Sequence, residues 1–181
     1  MSRLYQEKIK IPVGVTALIK EEKNEIEIRK DNFIKQYKFH HSVHLTLNQD
    51  EIEIKGKFAY DKSSFNMHRT TVSIILSNLF QGFFTPFVKE LKLVGVGYKA
   101  QLEKNNLTLL VAYCHPILLA IPHSVNIQLL SATQIKLSSC DKEMLGTIAD
   151  QIRRIRIPEL YKGIGIRYTD EIIKLKAAKK K

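Results

Sequence analysis

The sequence predicts an α+β protein of two tandem duplicated domains, each a small, mainly antiparallel sheet packed on one helix. Three observations predict it. The chain repeats its own apolar pattern at offsets of 80 to 83 residues over a whole half. Each copy begins with residues that alternate apolar and polar, as half-buried strands do. Each copy ends with apolar residues three and four apart, as one face of a helix does.

In the first copy, Ile26/Ile28, Val43/Leu45/Leu47 and Ile52/Ile54 mark strands, separated by polar turns at Lys23-Asn24 and Asn48-Gln49-Asp50. Phe65, His68, Val72, Ile75 and Leu79 then fall on one helical face, with Ser63 or Ser64 as the expected N-cap. The join lies near Gln81 to Pro86.

The second copy follows in the same order. Gly95-Val96 matches Gly14-Val15 at offset 81, and Asn105 to Leu109 matches Asn24 to Ile28 at the same offset. Val125, Ile127 and Leu129 match Val43, Leu45 and Leu47 at 82, and Ile135 and Leu137 match Ile52 and Ile54 at 83. Leu145, Ile148, Ile152 and Ile155 match the first helix at 80. A drift of this size means small insertions in turns. The second helix is expected to start at an Asp141 cap and to stop before Pro158, because a residue preceding proline is pushed out of the helical region. The expected domains are 1–81, 82–173 and a basic tail over 174–181.

Composition narrows function. Of 181 residues 44% are hydrophobic, as in folded proteins, while 8 Gly and 5 Pro exclude a collagen-like chain. The apolar run Ile117 to Ile121 is closed by Pro116 and Pro122, and no stretch reaches the roughly 18 apolar residues a membrane-spanning helix needs. Cys114 and Cys140 lack metal or disulfide-scaffold spacing and read as reduced thiols. The first residues carry neither an apolar signal core nor an Arg/Ser-rich presequence, so the chain is expected either to be made where it works or to be numbered after processing.

Charge is uneven. The net charge is +11, and the segment from Gln151 to Lys181 has ten basic against three acidic residues, which is +7 of that total. A basic end on a folded body implies a polyanionic partner. Pro158, Gly163 and Gly165 interrupt any long amphipathic helix, which favours nucleic acid over a membrane surface.

Catalytic patterns fall away one by one. Gly95-Val96-Gly97-Tyr98-Lys99-Ala100 spells GxGxxA, but a dinucleotide turn must open a helix, and Tyr98, Ala100 and Leu102 alternate as a strand. His40, His41 and His44 cluster, yet Val43, Leu45 and Leu47 place them on a strand, without further metal-ligand residues nearby. Cys114 and His115, as neighbours on a strand, would point to opposite faces and form no nucleophile–base pair. No enzyme activity, metal, cofactor or small-molecule substrate is expected.

The most informative stretch is Ile157 to Tyr168. It follows Arg153, Arg154 and Arg156 at the end of the second helix. Gly163 and Gly165 permit positive φ and close approach to the backbone. Tyr161 and Tyr168 offer stacking faces or hydroxyl donors, and Lys162 and Arg167 offer charge. Basic, aromatic and glycine residues interleaved in a loop suit folded RNA, which is read through shape, phosphate and 2′-hydroxyls. Lys174 and Lys176 extend the charge into the tail.

Three segments resemble the sixth-protein family of the bacterial-type large ribosomal subunit: Ile9-Lys10-Ile11-Pro12-Val13-Gly14-Val15, Leu91-Lys92-Leu93-Val94-Gly95-Val96-Gly97-Tyr98-Lys99-Ala100, and Pro158-Glu159-Leu160-Tyr161-Lys162-Gly163-Ile164-Gly165-Ile166-Arg167-Tyr168. The resemblance covers nearly the whole chain. It implies two tandem α+β domains and a non-enzymatic protein that binds large-subunit rRNA through its second domain and C-terminal end, beside neighbouring ribosomal proteins and near where translation factors dock. It implicates Tyr161, Lys162, Gly163, Gly165, Arg167 and Tyr168. Ile164 stands where the family usually has Lys, and Leu160 where it often has Pro, so one phosphate contact is expected to be missing. Divergence over Tyr37 to Phe65 and an Ile-, Lys- and Asn-rich composition point to a protein used in an organelle, a mitochondrion before a plastid or an AT-rich bacterium. The alternative function is a free-standing RNA-binding module outside the ribosome.

Overall fold

A computed structural model of the chain describes residues 8–20, 24–30, 33–48, 51–56, 62–104 and 106–177, the side chains of 62–64 excepted. The expected turn residues Lys23, Gln49, Asp50 and Asn105 and the last lysines, Lys179 to Lys181, lie outside these residues. The chain divides into two compact units, Met1–Phe84 and Thr85–Lys181.

The first unit contains β1 (Lys8–Lys10), β2 (Thr16–Lys20), β3 (Glu25–Lys30), β4 (Phe33–Lys38), β5 (Val43–Asn48), β6 (Glu51–Gly56) and the helix α1 (Lys62–Phe84). Its strands form two antiparallel sheets, in the orders β1-β6-β5 and β2-β3-β4. Period-2 alternation explains which residues go inside: Val43, Leu45, Ile52 and Ile54 meet Val72, Leu76, Leu79 and Phe80 of α1 in one core. Each fully buried Leu or Ile contributes about 1.5–3 kcal/mol relative to exposure.

Three local details differ from the sequence reading. The helix already runs from Lys62, so Ser63 and Ser64 lie in its first turn and not before it. It also continues through Gly82 to Phe84, past the expected break after residue 81. Lys30 helps to close it: its Nζ donates to the Phe83 carbonyl at 2.7 Å and sits 4.5 Å from the Phe84 ring centroid. Finally, His40 and His41 occupy the β4–β5 turn, and only His44 is on a strand. His40 stacks on His68 with ring centroids 3.9 Å apart, and His41 Nδ1 is 2.9 Å from Asn24 Nδ2. These rings serve packing and turn closure, and among the described residues no group of His, Cys, Asp and Glu has the arrangement of a metal site.

The second unit repeats the plan. It has β7 (Phe87–Val94), β8 (Lys99–Glu103), β9 (Asn106–Leu110), β10 (Ile117–Ala120), β11 (Asn126–Ser131), β12 (Gln134–Ser139), α2 (Lys142–Ile155) and β13 (Gly165–Tyr168). The β8-β9-β10 sheet has the order of β2-β3-β4, and β7-β12-β11 has the order of β1-β6-β5. Here, however, β13 adds to the other side of β7, giving β11-β12-β7-β13. Leu145, Ile148, Ala149 and Ile152 of α2 are buried in the core with Leu91, Ile135, Leu137 and Ile166. Asp141 caps α2 as expected, accepting from the Glu143 and Met144 amides at 3.0 and 3.4 Å, which is worth about 1 kcal/mol.

The GxGxxA segment is a turn between strands. Tyr98 N–H closes on the Gly95 carbonyl, Gly97 has φ +76°, and β8 follows where a dinucleotide fold would need a helix. The same turn occurs at Pro12 to Val15, where Gly14 has φ +85°. The structural partner of Gly14 is therefore Gly97, at offset 83, and not Gly95. The pattern Gly-Val misled because Val13 and Val96, both fully exposed turn residues, leave no apolar alternation to fix the register. Gly95 serves a different end: a Cβ there would lie 2.8 Å from the buried Tyr98 ring. Cys114 and His115 lie in a bend over 111–115, not on a strand, and both cysteines are free.

Candidate nucleic-acid interface

The candidate interface begins where α2 ends. Arg156 leaves the helix in extended conformation, and the helix stops before Pro158 as expected. The chain then runs out through Pro158 and back into β13 as a braced hairpin. Ile166 N–H donates to the Arg156 carbonyl at 2.8 Å, and Glu159 N–H donates to the Ile164 carbonyl at 2.9 Å. At the tip, Gly163 N–H reaches back to the Glu159 carbonyl at 2.9 Å.

The two glycines do separate work. Gly163, with φ +69°, turns the tip in the left-handed region, and a Cβ there would meet only Leu175 at 3.5 Å. Gly165, with φ +152°, lies against the other arm, where a Cβ would come within 2.6 Å of Pro158 Cα and 2.9 Å of the Arg156 carbonyl oxygen. Gly165 is thus where the arms press together.

The chain after β13 does not leave this structure. Glu171 N–H donates to the Tyr168 carbonyl, and Lys176 N–H donates to the Leu160 carbonyl at 2.9 Å. Residues 171–177 are therefore laid against the hairpin. This brings Lys174 and Lys176, both exposed, to the same region as exposed Tyr161 and Lys162.

The residues singled out from sequence separate into two groups. Lys162, Lys174, Lys176, Tyr161 and Arg154 face solvent, and Arg167 is half-buried on β13. Arg154 makes an exposed ion pair with Asp150, one turn earlier. Arg153 and Tyr168, by contrast, are engaged within the fold. Arg153 grips Glu171 with two hydrogen bonds, Nε at 3.1 Å and a terminal nitrogen at 2.5 Å. The bond with Glu171 raises the pKa of Arg153, and the bond with Arg153 lowers that of Glu171. The Tyr168 ring packs on the core and has Lys89 Nζ at 5.0 Å and the Arg153 guanidinium at 6.0 Å. Burial raises its hydroxyl pKa. Tyr168 thus contributes to the packing of the second unit, with two cations beside its half-buried ring.

Sequence reading missed Glu171, the partner of Arg153 eighteen residues away. It also missed Tyr113, which approaches the end of α2 from the bend after β9. The Tyr113 hydroxyl donates to the Ile155 carbonyl at 2.9 Å, and the Arg156 guanidinium lies 5.3 Å from its ring centroid. Bonding with Tyr113, then the nearby Tyr98, raises the Arg156 pKa. No local pattern marks these contacts; they join segments far apart in sequence.

Charge separates the two units as well. The first has 13 basic and 10 acidic side chains, a net of +3, and the second has 16 and 8, a net of +8.

A family model described as ribosomal protein L6 matches residues 94–169, which include β8 to β13 and the whole hairpin. Full-length similarity agrees. The chain is 36% identical over 181 residues to the large ribosomal subunit protein uL6 of Acinetobacter baumannii, with all of both chains covered. It is 38% identical to the protein of that name from Psychrobacter arcticus and 35% identical to that from Nitrosococcus oceani, again over all of both chains.

Proposed function

The chain belongs to the ribosomal protein L6 family, and from that membership we propose that its second unit is the rRNA-binding domain of a structural constituent of the large ribosomal subunit. The observation that carries this reading is the braced hairpin 156–166 with the tail laid against it, which gathers Tyr161, Lys162, Lys174 and Lys176 on one exposed region of the more basic unit. Lys162, Arg167, Lys174 and Lys176 neutralise phosphates, and release of condensed counterions supplies most of the binding free energy. Arg154 adds charge from the end of α2. Arg153 and Tyr168 act indirectly, by holding the returning chain in place.

The resemblance supports a position near the site where translation factors dock, and an Ile-, Lys- and Asn-rich composition supports an organellar ribosome, mitochondrial first. The relatives described above are bacterial, so fractionation of source cells tests the location directly.

Charge reversal tests the interface. Lys162→Glu with Arg167→Glu is expected to reduce filter-binding affinity for large-subunit rRNA by about tenfold or more, and to lower the salt slope by roughly two units or less. Lys10→Glu with Lys38→Glu, exposed positions of the first unit, is expected to change it about twofold at most. Equal losses would overturn the assignment. Cosedimentation with large subunits in moderately high salt separates this reading from a free-standing RNA-binding module.

A further inference from the structure

A cleft of about 570 Å3 opens beside the C-terminal end of α2, outside the hairpin tip. Its walls come from three distant segments: the β7–β8 turn with Val96 and Tyr98, the bend with Tyr113, and the start of the hairpin with Arg156 and Ile164. Three features make this more than a surface irregularity.

First, Tyr98 is 4% exposed, and its buried hydroxyl has no hydrogen-bond partner. An orphaned buried hydroxyl costs about 1–3 kcal/mol, so its retention calls for a reason. The Arg156 guanidinium is its polar neighbour: the tyrosine raises the arginine's pKa by charge and by bonding, but the contact falls short of good hydrogen-bond geometry. Second, Ala112 is held at φ +55°, a costly conformation for a residue with a Cβ. That bend delivers Tyr113 to the end of α2, where its hydroxyl is tied to Ile155. Third, the cleft combines chemistries. Arg154 and Arg156 supply cations, Tyr113 a half-exposed ring, Val96 and Ile164 apolar surface, and Glu159 an acceptor.

We propose that this cleft receives one unstacked nucleotide of the bound RNA, its phosphate on Arg156 and Arg154 and its base against the apolar wall beside Tyr113. The guanidinium of Arg156 already lies over the Tyr113 ring, an aromatic platform that leaves its planar edge to pair with a phosphate. Drawing Arg156 toward a phosphate uncovers the Tyr98 hydroxyl, which then donates to the nucleotide in place of its poorly formed contact with the arginine. Glu159 accepts from a base N–H and disfavours a second phosphate in the same place. Folded RNA is recognised largely through such splayed bases, which stack on aromatic or guanidinium planes. The cleft lies on the unit that carries the hairpin, and the inference rests on the reading of that unit as the rRNA-binding domain.

The test uses the full chain bound to large-subunit rRNA. Ultraviolet crosslinking with peptide mapping is expected to join RNA to the 96–98 or 112–114 peptide, separately from any crosslink in 157–167. Tyr98→Phe removes one hydroxyl and leaves the core filled. It is expected to lower rRNA affinity about fivefold, the value of one hydrogen bond. Arg156→Gln is expected to lower it about tenfold and to abolish the crosslink at 112–114, with an unchanged circular dichroism spectrum. Crosslinks confined to 157–167, with wild-type affinity in Tyr98→Phe, would overturn the cleft and leave the hairpin reading intact. Crosslinks in neither region would overturn the interface as a whole.

Discussion

The two units share one strand order and differ at one edge. In the first, β1 pairs with β6 and with no other strand among the described residues; in the second, the equivalent β7 is covered by β13. That added strand is four residues long, but it requires the chain to turn back after α2. The return path is the hairpin with its glycines, its lysine and its tyrosines. On the proposed function, the repeated parts of this duplicated scaffold fold, and the unrepeated part meets the partner. The charge difference of +3 against +8 falls in the same direction.

The largest effect expected to break this arrangement is at Gly165. A Val there collides with the backbone of Pro158 and Arg156, and the cost should be about 3 kcal/mol or more. Urea unfolding should show it, together with loss of rRNA binding. Gly163→Ala strains the tip without a backbone clash, and should cost about 1–2 kcal/mol. If the two substitutions ranked the other way, the packing of the hairpin arms would be misassigned.

A smaller effect separates the structural arginine from the exposed one. Arg153→Met removes a half-buried pair with Glu171 and should destabilise by about 1–2 kcal/mol; by loosening the returning chain it should lower rRNA affinity about two- to fivefold with the salt slope unchanged. Arg154→Gln, at a position 74% exposed, should leave stability within about 0.5 kcal/mol and lower affinity and salt slope.

The smallest effect is specific to the first unit. Glu27 is 3% exposed on the face of β3 opposite Ile26 and Ile28, and is bonded by Lys20 at 2.8 Å, by Arg29 and by Gln36. Bonds from Lys20 and Arg29 hold its carboxyl pKa at about 2, against an ordinary 4.5. A pKa depressed on folding means the unfolded chain takes up the proton first. The stabilisation is therefore present above about pH 4.5 and is lost as pH falls toward 2. Glu27→Gln should flatten acid unfolding of the first unit in that window, with little change in the second. A thermal-melting series against pH, read from a probe in each unit, checks it.

How much of this was legible in the sequence depended on range. The alternation of Val43, Leu45, Ile52 and Ile54 is local, and so is the spacing of Leu145, Ile148 and Ile152 after Asp141; each appears in the structure as read. The duplication was visible because these patterns recur in order. The turn at Pro12 to Val15 was placed two residues out, since its valine is solvent-facing and supplies no burial pattern. The contacts of Tyr168 and Arg153 within the fold were not legible, because nothing near them in sequence points to Lys89 or Glu171. The cleft was not legible at all: Tyr98, Tyr113 and Arg156 meet only when three segments fold together.

The amide of Lys176 is already spoken for by Leu160. A loose cationic arm forfeits motional freedom when it docks, and its affinity suffers accordingly. Here the main chain is already held at Lys176, so on the proposed function its lysines dock at a smaller entropic cost. Cutting the polypeptide before residue 176 would remove more than a charge; it would unfasten the tip from behind.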